Sequence, residues 1–178
     1  VFTPNDTDNY NTVTGLKVTI EVAKATPEYT LPTDLKAIYG QTLSEIALVD
    51  ETADGTWRYR DNAETTTVGD AGANEFEVMF IPRDTKNYKT IRGQKVIIEV
   101  AQATPNYTLP TGLKAIYGQT LANVALTQGW TYVDELTTAV GNAGNNEFDV
   151  TFTPEDTHNY KKLNLTVTIA VAKATPNY

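Results

Sequence analysis

The sequence predicts an all-β chain built from tandem copies of a two-layer β-sandwich. Three observations lead there. Apolar residues alternate with period two in one segment after another, and Gly, Pro, Asn and Asp interrupt those segments at intervals of about ten residues. No stretch keeps the i, i+3, i+4, i+7 apolar spacing of a surface helix for three turns.

The chain also repeats itself. AxATPxYTLPTxLKAIYGQTL occurs twice and FxPxDTxNY three times. Ala25 aligns with Ala103 at an offset of 78, whereas Val68 aligns with Val140 at 72, so the first copy carries six extra residues in its middle. The repeat frame divides the chain into 1–24, the closing strands of a preceding repeat; 25–102, a first repeat; 103–173, a second; and 174–178, the start of a following one. Val1 opens in the middle of a repeat, which reads as a segment of something longer. A unit this small buries only about 60% of its unfolded surface. With no cysteine in the chain, packing and hydrogen bonding must supply all of its stability.

Pro27 and Pro32, with Pro105 and Pro110, cannot donate ladder hydrogen bonds, so the first strand of each repeat is expected at a sheet edge. Trp57 and Tyr59 alternate with Arg58 and Arg60, and Trp130 and Tyr132 hold the same places in the second repeat. This reads as a central strand with a core tryptophan, the alternative being an exposed aromatic platform for sugar rings. The GDAG and GNAG turns (69–72 and 141–144) precede the strongest strands, where Phe76, Val78 and Phe80, then Phe148, Val150 and Phe152, point inward. In the closing strand, Val96, Ile98 and Val100, then Val167, Ile169 and Val171, point inward. Val18, Ile20 and Val22 continue that pattern in the remnant and are expected to dock on the following repeat or on another molecule.

In DTxNY an acidic residue, a turn and a tyrosine follow one another, as in the tyrosine corner of immunoglobulin-type sandwiches. Asp6, Asp84 and Asp156 are expected to hold the turn, and the hydroxyls of Tyr10, Tyr88 and Tyr160 to return to the backbone. Calcium is the competing reading at Asp6, Asp8 and Asn9, but Lys86 and His158 replace Asp8 in the other copies. Lys36 and Lys114, with Gln41 and Thr42, are the places to look for an internal cross-link.

With 22 acidic against 14 basic side chains and a net charge of −8, nucleic acid and anionic membrane surfaces are poor partners. No apolar run approaches the roughly 20 residues that span a bilayer. His158 is the only histidine and sits at a variable turn position, so acid–base and nucleophile–histidine chemistry have no foundation. The glycine turns lack the lysine of a phosphate-cradling loop. No enzyme activity and no cofactor are expected.

The combination of KATPxY, LxAxYGQTL, VGxAGxNxF, FTPxDTxNY and a closing VTIxVAKA resembles the tandem bacterial immunoglobulin-like repeats of cell-wall-anchored surface proteins and adhesins of Gram-positive bacteria. The resemblance covers the whole chain. It implies extracellular immunoglobulin-like sandwich repeats, joined end to end in a stalk that presents a distal binding region. Such repeats also serve as direct binders of mucin, host glycan or matrix protein, or as accessory modules of large extracellular carbohydrate-active enzymes. The expected partners are therefore neighbouring repeats and, for a binder, those host ligands. The departure is the insertion at 49–56, VDETADGT, whose Asp50, Glu51 and Asp54 form an acidic, copy-specific candidate ligand loop. Almost no linker separates the repeats, which predicts an elongated pair with restricted bending, about 35 to 40 Å per repeat at about 3.3 Å per strand residue.

Overall fold

A computed structural model describes residues 1–49 and 54–176. The chain is all-β, and each repeat contributes one four-stranded sheet. The first sheet holds β1 (Leu35–Ile38), β2 (Gly55–Tyr59), β3 (Gly72–Pro82) and β4 (Ile91–Ala101) in the order β1-β4-β3-β2. The second holds β5 (Leu113–Ile116), β6 (Trp130–Tyr132), β7 (Gly144–Phe152) and β8 (Leu163–Ala172) in the equivalent order β5-β8-β7-β6. β1 runs parallel to β4, Leu35 opposite Ile98, while β2, β3 and β4 are antiparallel neighbours. Short 3-10 turns at Leu43–Glu45 and Leu121–Asn123 are the sole helical elements among the described residues, and no helix there is long and apolar enough to cross a membrane.

The alternation read from the sequence sets the buried face. Val78 and Phe80 on β3, and Val96, Ile98 and Val100 on β4, are buried, as are Val150, Val167, Ile169 and Val171 in the second repeat. Trp57 stands directly opposite Phe80 across the β2–β3 pair, rings 5.3 Å apart, and Trp130 opposite Phe152 at 5.1 Å. Each such cross-strand aromatic pair adds about 0.5–1.5 kcal/mol beyond the area it buries. The outer face carries Glu75 with Lys95 at 2.6 Å and Glu77 with Arg60 at 2.8 Å, exposed pairs whose contribution is small.

Three expectations need correction. The face opposite the first sheet is covered by the 3-10 turn, the loop after it and the loop before β3, through Leu43, Ile46 and Val68, and that of the second by Leu121, Val124 and Val140; the pairing seen among the described residues is one four-stranded sheet per repeat, where two were expected. The proline segment is not an edge strand. Only Ala25 and Ala103 at its start make a bridge, to Tyr88 and Tyr160, after which Pro27 and Pro105 end the ladder for want of an N–H. Beyond that point Tyr29 lies edge-on to Trp57 at 5.6 Å, and the Trp57 indole donates to the Thr30 carbonyl at 3.1 Å.

The remnant is the third correction. Val18, Ile20 and Val22 form no strand and are 85%, 79% and 88% exposed, so they do not dock on the following repeat. Period two specifies a face but supplies no partner, and among the described residues no strand pairs with this segment. What survives is a single antiparallel bridge, Phe2 to Val13, closing the DTDNY turn.

Candidate functional site at the junction of the repeats

The DTxNY turn is built by its aspartate and asparagine. In the first repeat Asp84 Oδ1 accepts the Lys86 and Asn87 backbone N–H groups, both at 3.1 Å, and Oδ2 accepts Asn87 Nδ2 at 2.7 Å. Asp156 does the same with His158 and Asn159, and Asp6 with Asn9. The asparagine side-chain bond first, and the backbone bonds next, hold the pKa of all three carboxyls below the usual carboxylate range. Both oxygens of Asp6, the candidate cation ligand, accept hydrogen bonds from Asn9.

The tyrosines do something other than expected. No hydrogen bond among the described residues involves the hydroxyl of Tyr10, Tyr88 or Tyr160, so the tyrosine corner is absent; each tyrosine instead donates its backbone N–H to the turn aspartate's carbonyl, at 3.2, 3.1 and 3.1 Å. Beside Tyr88 and Tyr160 an incoming chain pairs with the turn. Ala103 pairs with this stretch, its N–H donating to Asn159 O at 2.9 Å while its carbonyl accepts the Lys161 N–H at 3.0 Å, and this leaves the Tyr160 ring facing the preceding repeat. Ala25 pairs in the same way with Asn87 and Lys89.

At the other end of the first repeat, YGQTL and GDAG are brought side by side. Val68 N donates to Gln41 O at 3.0 Å and Leu43 N to Thr66 O at 2.9 Å, which places Tyr39 beside Asp70 and Ala71. Gln41 and Thr42 are consumed here. Gln41 Oε1 accepts the Ile38 N–H at 2.7 Å and its Nε2 donates to Glu45, whose other oxygen accepts the Thr42 N–H at 2.8 Å. Gly69 must be glycine: at φ +85 a Cβ would sit 2.9 Å from the Asn74 side chain, which itself donates to Asp70 O.

These two surfaces meet. Asn159 Oδ1 accepts the Ala71 backbone N–H at 2.8 Å, and Asn159 Nδ2 donates to Asp70 at 3.1 Å as well as to its own turn's Asp156 at 2.9 Å. Asn159 is the one buried polar side chain among the described residues, 7% exposed. Above it the rings of Tyr39 and Tyr160 pack edge to face, 5.3 Å apart at 80°. Burial first, then Tyr160, Asp156 and Asp70, push the Tyr39 hydroxyl's pKa up. The backbone between the repeats has no slack. Ala101 O accepts the Tyr39 N–H in the first repeat, Ala103 is already paired in the second, and Gln102 between them donates its side-chain amide to Thr157 O and His158 O at 2.9 and 3.1 Å.

The junction was missed in the sequence. The DTxNY reading rests on its aspartate and tyrosine, while the asparagine makes the contact; GDAG reads as a turn and YGQTL only as a cross-link candidate. The recurrence of the asparagine in all three DTxNY copies was the available signal. Trp57 and Trp130 are 4% and 6% exposed and Phe80 is fully buried, whereas Phe76, Phe148 and Phe152 are half-buried. In the copy-specific loop, Asp50 and Glu51 lie outside the described residues. Asp54 is exposed, with its backbone carbonyl accepting Arg83 N–H at 2.7 Å and its carboxylate 3.9 Å from the Arg83 guanidinium. Beneath it an open groove of about 680 Å³ is lined by Pro27, Glu28, Arg83, Asp84 and Tyr88.

No protein-family model matches the chain, and no curated protein matches it. Among solved structures it is similar to the first three extracellular domains of Drosophila N-cadherin, with 9% identity over 85% of this chain and 69% of that one, TM-score 0.30. It is also similar to an endo-fucoidan hydrolase of glycoside hydrolase family 107, with 14% identity over 85% of this chain and 30% of that one, TM-score 0.21. Likenesses at these scores carry no inference about fold family or activity.

Proposed function

We propose that the chain is a non-enzymatic segment of tandem immunoglobulin-like repeats from a bacterial surface protein, outside the cell and anchored at the wall, and that it serves as a stalk for a distal binding region. The observation that supports this reading is the junction. Two repeats whose paired positions are separated by Gln102 alone, with its side chain bonded to the second repeat and a buried asparagine at the contact, suit a spacer that resists bending. A flexible tether would instead be rich in Gly and Ser and free of such bonds.

Small-angle scattering combined with residual dipolar couplings tests it. A stalk requires one alignment tensor for both repeats and an extended particle; two independent tensors or a compact side-by-side particle overturn the reading. A second reading, direct adhesion to mucin, host glycan or matrix protein, is favoured by the groove below Asp54, which adjoins the copy-specific loop and exposes Tyr88. A multivalent form of the chain that stays silent on glycan and mucin arrays removes it.

A further inference from the structure

The two repeats differ beside their core tryptophans. In the second repeat, residues 106–111 and the turn at 127–128 border an open groove of about 600 Å³ that reaches Trp130 and Phe152, and all of its walls come from within that repeat. Tyr107 lies along it, 45% exposed, edge to face with Trp130 at 5.9 Å and 71° and tilted against Phe152 at 6.2 Å. These two rings hold the Tyr107 ring in place and leave part of it open to solvent. The first repeat is closed at the equivalent place: Phe80 is fully buried, whereas its counterpart Phe152 is half-buried. The acids differ too. Glu28 becomes Asn106, and the acidic insertion at 49–56 gives way to Thr127–Gly129, so no ionised side chain lines the groove of the second repeat.

We propose that this groove binds a neutral pyranose, with the Tyr107 ring against the C–H face of the sugar and the amides of Asn106 and Gln128 on its hydroxyls. A pyranose has an apolar C–H face rimmed by hydroxyls, each of which donates and accepts. The groove offers the same two kinds of surface. Its aromatic rings supply the apolar one. Asparagine and glutamine amides and threonine hydroxyls both donate and accept, and the side chains of Asn106, Thr111, Thr127 and Gln128 make no hydrogen bond among the described residues, so they are free for a ligand. Charge selects among sugars. An anionic sugar finds no cation here and meets a chain of net charge −8, while a cationic one finds no carboxylate. Trp130 is not itself the platform, because at 6% exposed it supports Tyr107 from within. The volume lies within the range of about 300–1,000 Å³ common to small-ligand sites. An open groove leaves much of its ligand in water, so binding is weak, with a Kd of about 1–10 mM for a single ring. This site extends the adhesion reading to a second repeat and a different groove, and it is independent of the stalk.

Proton–nitrogen NMR of the full chain, titrated with the methyl β-glycosides of glucose, galactose and N-acetylglucosamine and with methyl β-glucuronide as the anionic counterpart, tests the proposal. The expected result is a saturating shift of the amides at 106–111 and 127–130 with at least one neutral glycoside, and clearly weaker binding of the glucuronide. Tyr107→Ala should weaken binding about tenfold, while Tyr107→Phe, which keeps the ring, should stay within about twofold. Asn106→Ala and Gln128→Ala should each weaken it about threefold to tenfold. Both of these positions are exposed and their side chains make no bonds, so unchanged thermal melts verify the fold even if Tyr107→Ala disturbs it. The proposal is overturned if no neutral glycoside shifts these amides at about 100 mM, well above the expected Kd. It is equally overturned if the glucuronide binds as well, if the shifts survive Tyr107→Ala and Gln128→Ala, or if residues 29–32 of the first repeat shift as much. Shifts confined to 25–28 and 83–88 overturn it in favour of the groove below Asp54. None of these failures touches the stalk reading, whose test is the alignment of the two repeats.

Discussion

Asn159→Ala separates the lock between the repeats from the turn that carries it. The Asn159 amide makes three contacts: it accepts from Ala71 N at 2.8 Å, donates to Asp70 at 3.1 Å and donates to Asp156 at 2.9 Å. Asn87, its equivalent in the first repeat, makes only the last kind, to Asp84 at 2.7 Å. The difference between Asn159→Ala and Asn87→Ala therefore isolates one neutral and one charge-assisted bond, together about 2–4 kcal/mol if neither group is rehydrated. Asp70 is exposed and the Ala71 N–H meets water once the contact opens, which reduces the expected difference to about 1–2 kcal/mol, or about a tenfold rise in the open population. The assay is hydrogen exchange at the Ala71 amide, with residual dipolar couplings to follow the angle between the repeats. Asn159→Ala should lower Ala71 protection about tenfold and give the repeats separate alignment tensors, while Asn87→Ala should do neither. Unchanged Ala71 protection, or two variants that behave alike, would refute the lock.

Trp130→Phe removes an indole donor 3.1 Å from the Thr108 carbonyl inside the second core and should destabilise that repeat by about 1–3 kcal/mol. The remaining Trp57 fluorescence then reports the first repeat alone, whose urea midpoint should not move. Gly55→Ala should cost about 1–3 kcal/mol or more by overpacking, since its Cβ would lie 2.3 Å from the Phe80 ring and 2.6 Å from the Ile81 carbonyl; an unchanged melting temperature would contradict the tight approach of β2 to β3. Because Asp84, Asp156 and Glu45 are more acidic folded than unfolded, their contribution is present above ordinary carboxylate values and is lost as pH falls through the lowered ones. The urea midpoint should drop below about pH 4, and a flat midpoint down to pH 3 would count against the clamps. Tyr59, half-buried and donating to Ile46 O at 3.2 Å, has its pKa pushed up by burial to about 12. Its stabilising share persists below the ordinary value of 10 and is lost as pH rises through about 12, which phenolate absorbance resolves from the exposed tyrosines.

The long strands were legible because one face of each is wet. Glu75 and Glu77 against Phe76, Val78 and Phe80 leave a single assignment of faces, and the registers of β3 with β4 and β7 with β8 follow it. β1 and β5 were not legible: LKAI is four residues long, and its parallel pairing with the last strand depends on a crossover that no local pattern encodes. The proline segment was misread because missing donors suggest an edge strand, whereas here the chain leaves the sheet altogether to lay Tyr29 against Trp57. The tyrosine corner failed for a different reason. That motif belongs to the geometry of another fold, and here the backbone N–H of each tyrosine, not its hydroxyl, closes the turn on the aspartate. The site itself was half visible. Asp84 and Asp156 cap their turns, but the burial of Asn159 depends on a partner surface some 90 residues away in sequence, and identical letters at Asn87 are left open.

The polar character of this junction has a physical rationale. A repeated contact made from Leu or Phe would hold neighbours more tightly, but every unfilled end would then expose an apolar patch and aggregate. A buried asparagine, a backbone N–H and two tyrosine edges behave otherwise, because each group is satisfied by water when the contact is absent. The affinity sacrificed is recovered by covalent continuity: with Gln102 as the only residue between paired positions, the two surfaces are held at high effective concentration, and a weak contact suffices to fix direction. Specificity comes from the same arrangement. Leaving out Asp70 or Asn159 strands a partner's donor or acceptor at the interface, so a wrong register is disfavoured even though the correct one contributes little net stability. The contact between the repeats thus rests on the shortness of the connection and on one amide with all of its bonds made.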